Sequence, residues 1–586
     1  IVTHRPVWCI DGINRPIDAA GRVMDGYTNE TPRQRVHRRK SALWTDRPTW
    51  DTERREISEY QHPRLGRFVA SDSNKGTRKE QKVIDSTATV AARTLAAGMM
   101  SGATSPARPW FKLALQDKDL QESREVKLWL SAAETMIRRV FAASNTYRTL
   151  HGMYEELGLF GTAATVVLPD QRDIIRHYPM TIGEYALATN DRNEVDSLCR
   201  HYQMTVEQMV GAFGTANVSQ TVRNLWDRRN YSAWVDVTHL LEPRRKRDPA
   251  MADAKNKRFS SIYVESSGTE DKVLRESGFD RFPSLTPRWF VTGNDAYGSS
   301  PGMECLGDVK QLQHQQKRKG TAIDYMVNPP LQVPTKFKEA HTARLPGGTF
   351  YIDALGGNQA VQTAFEVRLD LQHLLIDIQD IRERIRSAYY ADLFLMLAND
   401  TRSGTTATEI AERHEEKLLM LGPVLERLHN EELEPLIDIA FDECLARNLL
   451  PPIPMALSGM EIEVEFTSVL AQAQRAVATA GMDRLLGAVG QMAAVHPEVL
   501  DKINWDQAVD EYGEAYGVNP AVIVPDDEVA ATREARAQAM QQQAAAASAP
   551  QMVESAKTAG EIDMDGLNDV MGSLQGYASP TPGTVQ

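Results

Sequence analysis

His414-Glu415-Glu416 comes nearest in this chain to a zinc-hydrolase helix, in which two histidines one turn apart hold the metal and a glutamate serves as base. The second histidine is missing, which excludes that chemistry. No GxxxxGKS/T loop is present to cradle phosphates, and no GxSxG elbow to present a serine nucleophile. The many carboxylates between 409 and 443 read as a solvated helix face, with paired catalytic acids as the competing reading. His151, His239 and His314 stand alone and read as structural. Cys9, Cys199, Cys305 and Cys444 are far apart and form no CxxC pair, so they read as free thiols. No catalytic residue, metal or cofactor is predicted. What remains is positive charge in clusters. One is Arg33-Gln34-Arg35-Val36-His37-Arg38-Arg39-Lys40. A second is Arg244-Arg245-Lys246-Arg247 with Lys255, Lys257 and Arg258. A third is Lys317-Arg318-Lys319. Such clusters suit phosphates or acidic protein surfaces, and plain solvation competes with both.

These clusters sit on an acidic chain. Its 586 residues carry 66 Lys and Arg against 79 Asp and Glu, a formal net charge of −13. Nucleic-acid binding through overall charge is therefore excluded, while local basic contacts are not. The length exceeds what one core supports and predicts three or four domains or subdomains. With 42% hydrophobic and 25% charged residues the composition is that of a soluble globular protein. No apolar run approaches the roughly 18 residues of a membrane span. The best, near 482–495, is broken by Asp483, Arg484 and Gln491, and the first residues show no charged-then-apolar leader.

The elements that carry these residues follow from periodicity. Residues 1–80 read as a polar, Arg-rich arm, solvated or in contact with nucleic acid or an acidic partner. Ala91 to Gly102 is a small-residue helix stopped by Ser105-Pro106-Ala107-Arg108-Pro109, and Trp110-Phe111-Lys112-Leu113 alternates like a strand. Helices are predicted over 123–143 and 147–157, broken at Gly158-Leu159-Phe160-Gly161, with strands at 162–168 and 174–178 and a turn at 190–193. Strands follow at 235–241, 259–265, 273–279 and 287–291, in a small β-rich module. Ser300-Pro301 caps a helix from 303 to 327 that Pro329-Pro330 ends. A strand near 345–352 precedes a long helix from 362 to 397. After Asn399-Asp400-Thr401-Arg402-Ser403-Gly404 a second long helix runs to 449, with a kink expected at Gly422-Pro423. A strand at 461–466, helices over 468–515 and 528–547, and a disordered tail complete the reading. The fold class is α+β.

Several segments resemble, in one order, the head-to-tail connector (portal) proteins of short-tailed bacteriophages. Residues 91–113, AARTLAAGMMSGATSPARPWFKL, are similar to that family's N-terminal signature. Further matches are Tyr154 to Ala163 (YEELGLFGTA), Tyr178 to Tyr185 (YPMTIGEY), Pro287-Arg288-Trp289, Tyr297-Gly298-Ser299-Ser300-Pro301, Asn328-Pro329-Pro330-Leu331 and Leu345-Pro346-Gly347-Gly348. The C-terminal half adds Thr406 to Ile410, Leu421 to Leu425 and Leu470 to Gln474. The resemblance covers about residues 45–540. It implies a portal fold assembled as a ring of twelve at one capsid vertex. Such a ring is a conduit for double-stranded DNA and docks the terminase motor and then a tail adaptor.

On this chain the resemblance implies an arm at 1–44, a wing at 45–232, a clip at 233–297 and a stem helix at 298–327. The wing then resumes at 328–467 around a tunnel loop at 398–405, followed by a crown at 468–547, with a possible helical barrel, and a tail at 548–586. Tunnel-loop residues would be Asn399, Asp400, Thr401, Arg402, Ser403 and Gly404, with Arg402 facing DNA. Lys317, Arg318 and Lys319 would face the channel. The clip residues Arg244, Arg245, Lys246, Arg247, Lys255, Lys257 and Arg258 would meet the motor or adaptor. Implied partners are further copies of the chain, the major capsid protein, scaffold, the terminase large subunit, a tail adaptor and DNA without sequence preference, and no membrane. The implied location is the capsid portal vertex, with assembly in the host cytoplasm. A tail adaptor or other virion ring component, or a nucleic-acid enzyme, is the alternative.

Overall fold

The structure is a computed structural model. It describes residues 30–70, 81–117, 123–244, 253–267, 270–334, 349–352, 362–363, 371–399, 421–457, 462–467, 485–493, 496–509 and 528–542, with isolated residues between. Two compact units divide the chain at Ala488/Val489.

The first unit opens with α1 (Pro32–Thr45) and α2 (Pro48–Tyr60), each started by a proline whose missing N–H costs a first turn nothing. Thr31 and Gln34 form a capping box on α1. α3 (Thr87–Ala103) is the small-residue helix, buried at Ala88, Ala91, Ala92, Leu95, Ala96, Gly98 and Met99. It ends at Thr104, before the prolines, and β1 (Phe111–Leu115) follows. α4 (Arg124–Ala143) and α5 (Thr146–Phe160) pack beside it, and Trp110 stacks on Phe141 at 5.9 Å. Each such buried aromatic contributes about 2–3 kcal/mol of transfer energy. β2 (Ala164–Asp170) and β3 (Ile174–Met180) form a hairpin.

A five-stranded antiparallel meander comes next. β4 (Tyr185–Thr189) and β5 (Val195–Thr205) lead to a helical excursion, α6 (Val206–Phe213) and α7 (Gln220–Asp227), then to β6 (Trp234–Pro243), β7 (Phe259–Glu265) and β8 (Arg275–Phe279). Period-2 alternation assigns its faces. Val235 and Val237 point to a satellite core with Val206, Met209 and Phe213, whereas Leu240, Ile262 and Val264 face α1 through Val36 and Leu43. β5 and β6 pair over eight residues, so the strands on either side of the expected 232/233 boundary belong to one sheet.

β9 (Ser284–Leu285) adds to β2, and α8 (Pro301–Glu304) leads into α9 (Leu306–Val327). β10 (Leu331–Pro334), β11 (Thr349–Ile352) and β12 (Gln362–Thr363) make a small mixed sheet. α10 (Leu371–Ala388) and α11 (Ala391–Asn399) follow. Helical residues 421–428 pass through a π turn, His429–Leu433, into α12 (Glu434–Ala446). β13 (Ile462–Phe466) closes the unit by pairing antiparallel with β1.

The structure corrects four expectations. The basic run from Arg33 to Lys40 is not a solvated arm: it lies on α1, where Arg35 and Arg39 both pair with Glu242 of β6 at 2.7 and 3.3 Å. Residues 287–291 form no strand, only single bridges from Arg288 to Thr162 and from Phe290 to Ser299. Gln362 and Thr363 are strand, not helix. The helix expected through 397 breaks at Tyr389-Tyr390, where Tyr390 takes φ of 52° and α11 turns back onto α3. The residues before Leu421, which would show the kink expected at Gly422-Pro423, lie outside the described residues, and a further irregularity sits at 429–433. There Pro435 has no N–H to give to Glu431, and the Glu434 amide reaches His429.

In the second unit, Pro497–Lys502 is a 3₁₀ helix, 505–509 is a helical turn and 528–542 is an exposed helix. Arg533 holds Asp506 through two bonds of 2.6 and 2.7 Å. Residues 485–493 are helical as well, whereas 468–484, 510–515 and 543–547 of the expected helices, and the tail, lie outside the described residues.

Candidate functional site

α8, which leads into α9, begins where Ser300 accepts from the Met303 amide and donates to Leu159 O. Leu306, Val309 and Leu312 fix its first half in the core. Past them a polar hub takes over. Gln313 accepts from the Ile84 and Asp85 amides at 2.7 and 2.8 Å and donates to Asp85 O. The Asp85 carboxylate accepts from Thr87, Gln316 and both edge nitrogens of Arg382. Burial pushes that carboxyl up, but the bonds from Thr87 and Arg382 outweigh it and hold the group below the ordinary carboxylate range. Asp308 with Arg384, and Gln315 with Asp377, fix α9 antiparallel to α10. Asp85→Ala is expected to cost about 3 kcal/mol, because it strips several partners at once. Chemical unfolding checks this, and a loss under 1 kcal/mol would show that the hub does not fix α9.

Beyond the hub α9 is exposed. Lys317 and Arg318 point to solvent, Lys319 is half-buried, and none makes an ion pair among the described residues. Ile323 and Met326 are partly bare, and Val327 is 79% exposed. The second half of α9 is therefore exposed, its basic residues preceding its apolar ones.

The residues of the 244–258 turn do not act alike. Arg244 is tied to Glu276 at 2.9 Å and to Ser277 O, so it fastens β6 to the β8 strand. Lys257 pairs with Asp280 at 3.1 Å. Arg247, Lys255 and Arg258 are exposed and make no ion pair among the described residues. Arg245 and Lys246 lie outside those residues. So do Asp400, Thr401, Arg402, Ser403 and Gly404, and Asn399 is placed only as the last residue of α11.

His239 is the buried histidine expected: it stacks on Tyr263 at 3.8 Å and bonds Ser261. His151 and His314 are exposed. Cys199, Cys305 and Cys444 are buried free thiols, and Cys9 is outside the described residues. Among the described residues no three His, Cys, Asp or Glu side chains gather to hold a metal, and no helix is long and apolar enough to cross a membrane.

Sequence reasoning missed the arginine anchors. Arg288, 2% exposed, grips Glu431 and the Asn193 and Asp295 carbonyls. Arg54 is fully buried with no hydrogen-bond partner among the described residues, sandwiched between Trp50 and Tyr297 at 5.2 and 4.4 Å. The Pro287-Arg288-Trp289 match was the only signal for either.

The sequence profile of the family described as "Bacteriophage head to tail connecting protein" matches residues 33–524. The "Probable portal protein" of Bordetella phage BPP-1 is 49% identical over 551 residues, 94% of this chain and 99% of the relative. The "Portal protein" of Salmonella phage epsilon15 is 44% identical over 533 residues, 91% of this chain and 96% of the relative. Solved chains from the virion of a native gene transfer agent particle and the neck of an empty one are 12% identical. They cover 68% and 73% of this chain, and 95% and 92% of their own lengths. Their TM-scores are 0.29 and 0.31, overlaps too loose to carry an argument.

Proposed function

This chain belongs to the bacteriophage head to tail connecting (portal) protein family, and from that premise we propose that copies of it close into a twelve-membered ring at one capsid vertex. The ring conducts double-stranded DNA during packaging and ejection and performs no catalysis itself. What carries this reading is the family match along nearly the whole chain. A tail adaptor or a packaging enzyme draws no support from it.

The charge distribution suits a conduit. Twelve copies at −13 each would carry −156 formal charges, a wall that repels phosphates. Lys317, Arg318 and Lys319 on α9, and Arg402 beyond α11, would touch passing phosphates briefly without reading sequence. Arg247, Lys255 and Arg258 would meet the terminase motor and later the tail adaptor wherever those partners offer carboxylates. The major capsid protein and scaffold would surround the ring. The apolar end of α9 would pack against a neighbouring copy.

Native mass spectrometry with negative-stain imaging tests the ring: a mass near twelve times 65.4 kDa with a central hole is expected. Met326→Asp with Val327→Asp is expected to leave a folded monomer. Rings unchanged by both substitutions would remove the α9 end from the subunit contact. ATP hydrolysis by the purified chain would overturn the conduit reading itself.

A further inference from the structure

A bare sheet edge is a template for another strand, and folded proteins block theirs. In this chain side chains do the blocking. On β1 the Leu113 and Leu115 amides donate to Glu134 and Gln121 at 2.9 and 3.1 Å. On β3 the His177 amide donates to Asn145 and its carbonyl accepts from the same side chain, both at 2.9 Å. On β4 the Leu187 amide donates to the Tyr297 hydroxyl, and on β8 Arg244 holds the Ser277 carbonyl. β9 and β12 are only two residues long. Two terminal strands are left, β13 and β11, and no side chain caps either among the described residues.

The register shows which groups β13 leaves open. Leu113 and Leu115 turn their amides away from β13, so Val464 and Ile462 opposite them turn theirs away from β1, and Phe466 follows the same alternation. Among the described residues none of these three backbone positions has an outward partner. The strand contains no proline, lysine or bulge to repel a neighbour. Its deterrent is charge: Glu463, held by Gln116, and Glu465, opposite Lys112, share one face, while Ile462, Val464 and Phe466 pack on the main core from the other. A strand added here must therefore be apolar on one face and free of negative charge on the other. β11, Thr349-Phe350-Tyr351-Ile352, meets both conditions. Alternation puts Phe350 and Ile352 on one face and the hydroxyl-bearing Thr349 and Tyr351 on the other, where they would fall beside the two carboxylates. Being uncharged, β11 adds no repulsion between copies that each carry −13. A closed ring, moreover, needs two different and complementary patches on every copy, and two unblocked edges supply them.

We propose, resting on the ring reading above, that β11 of one copy adds to the outer edge of β13 of the next, so that a shared sheet crosses each subunit boundary.

The test uses the full chain carrying Tyr351→Cys with Glu463→Cys, or Tyr351→Cys with Glu465→Cys, assembled into rings and treated with a thiol cross-linker of about 8 Å, the reach of diagonal neighbours on paired strands. Cys199, Cys305 and Cys444 are buried, and the single-cysteine variants control for them and for Cys9. At least one pair is expected to give a ladder of covalent multiples of 65.4 kDa, with peptides joining position 351 to 463 or 465, and the single variants none. Thr349→Asp sets a third carboxylate beside Glu463 and Glu465, and is expected to cut the yield about tenfold with the thermal midpoint of the subunit unchanged. Rings that give no ladder from either pair would overturn the proposal. So would links formed only within one chain, links from 463 or 465 only to a different protein, or a yield indifferent to Thr349→Asp. Native mass of the unmodified chain is read separately: absence of rings overturns both readings, whereas rings without the ladder overturn the shared sheet alone.

Discussion

Gly161→Ala is expected to abolish folding, at a cost of about 4 kcal/mol or more. Gly161 ends α5 in the left-handed region, φ 72°, with its amide on Leu157 O. A Cβ there would stand 2.2 Å from the Gly298 carbonyl oxygen and 2.6 Å from its carbon. Both are backbone atoms that no rotamer change can move. Gly298 is held in turn, its amide on Thr162 Oγ1 and its own virtual Cβ 2.4 Å from Gly161 O. Trp289 N also donates to Gly161 O, so three segments meet at this point. Gly152→Ala is the control. It lies within the same helix with nothing within 4 Å of its virtual Cβ, and is expected to gain about 0.5–1 kcal/mol. Soluble yield and unfolding midpoint of both variants check the pair. A native-like Gly161→Ala protein would show that the close approach is not required.

Glu156→Gln is expected to stabilise the protein at alkaline pH and to change nothing near pH 4.5. Burial pushes the Glu156 carboxyl up to about 8, against partial relief from the Thr181 hydroxyl and Ile182 amide, with the Glu184 and Glu155 carboxylates adding to the rise. In the unfolded chain the group ionises near its ordinary value. Its neutral form therefore supports the fold fully below about pH 4.5, and that support is lost as pH rises toward 8. Gln mimics the neutral form and does not titrate. The variant's advantage should grow from nothing at pH 4.5 to about 4 kcal/mol at most by pH 8, then level off. Urea unfolding across that range measures it, and a difference independent of pH would refute the titration of Glu156.

Local signals in the chain carried most of the fold. The prolines at 106 and 109 stop α3, Ser300-Pro301 starts the segment before α9, and alternation marks β6 and β7. What stayed hidden depends on partners far away in the chain. Nothing near Arg35 and Arg39 announces Glu242, which turns a basic run into a docked helix. Nothing near Asp85 announces Arg382. The break at Tyr389-Tyr390 contains neither proline nor glycine and is set by α11 packing so closely on α3 that Gly98 leaves room for Phe394. The clusters at 244–258 and 317–319 were visible as charge. Only geometry separates Arg244 and Lys257, spent inside the chain, from Arg247, Lys255 and Arg258, which are not.

The pairing of β1 with β13 sets a clock on biosynthesis. Leu115 meets Ile462, 347 residues later. At about 5–20 residues per second the ribosome needs roughly 20–70 s to deliver the second strand. Throughout that interval the edge of β1 is an open template for another nascent chain. Translation speed through the second half of the message should therefore govern how much of this protein reaches its folded form, and slowing it is a route to aggregates that no folded-state contact would explain.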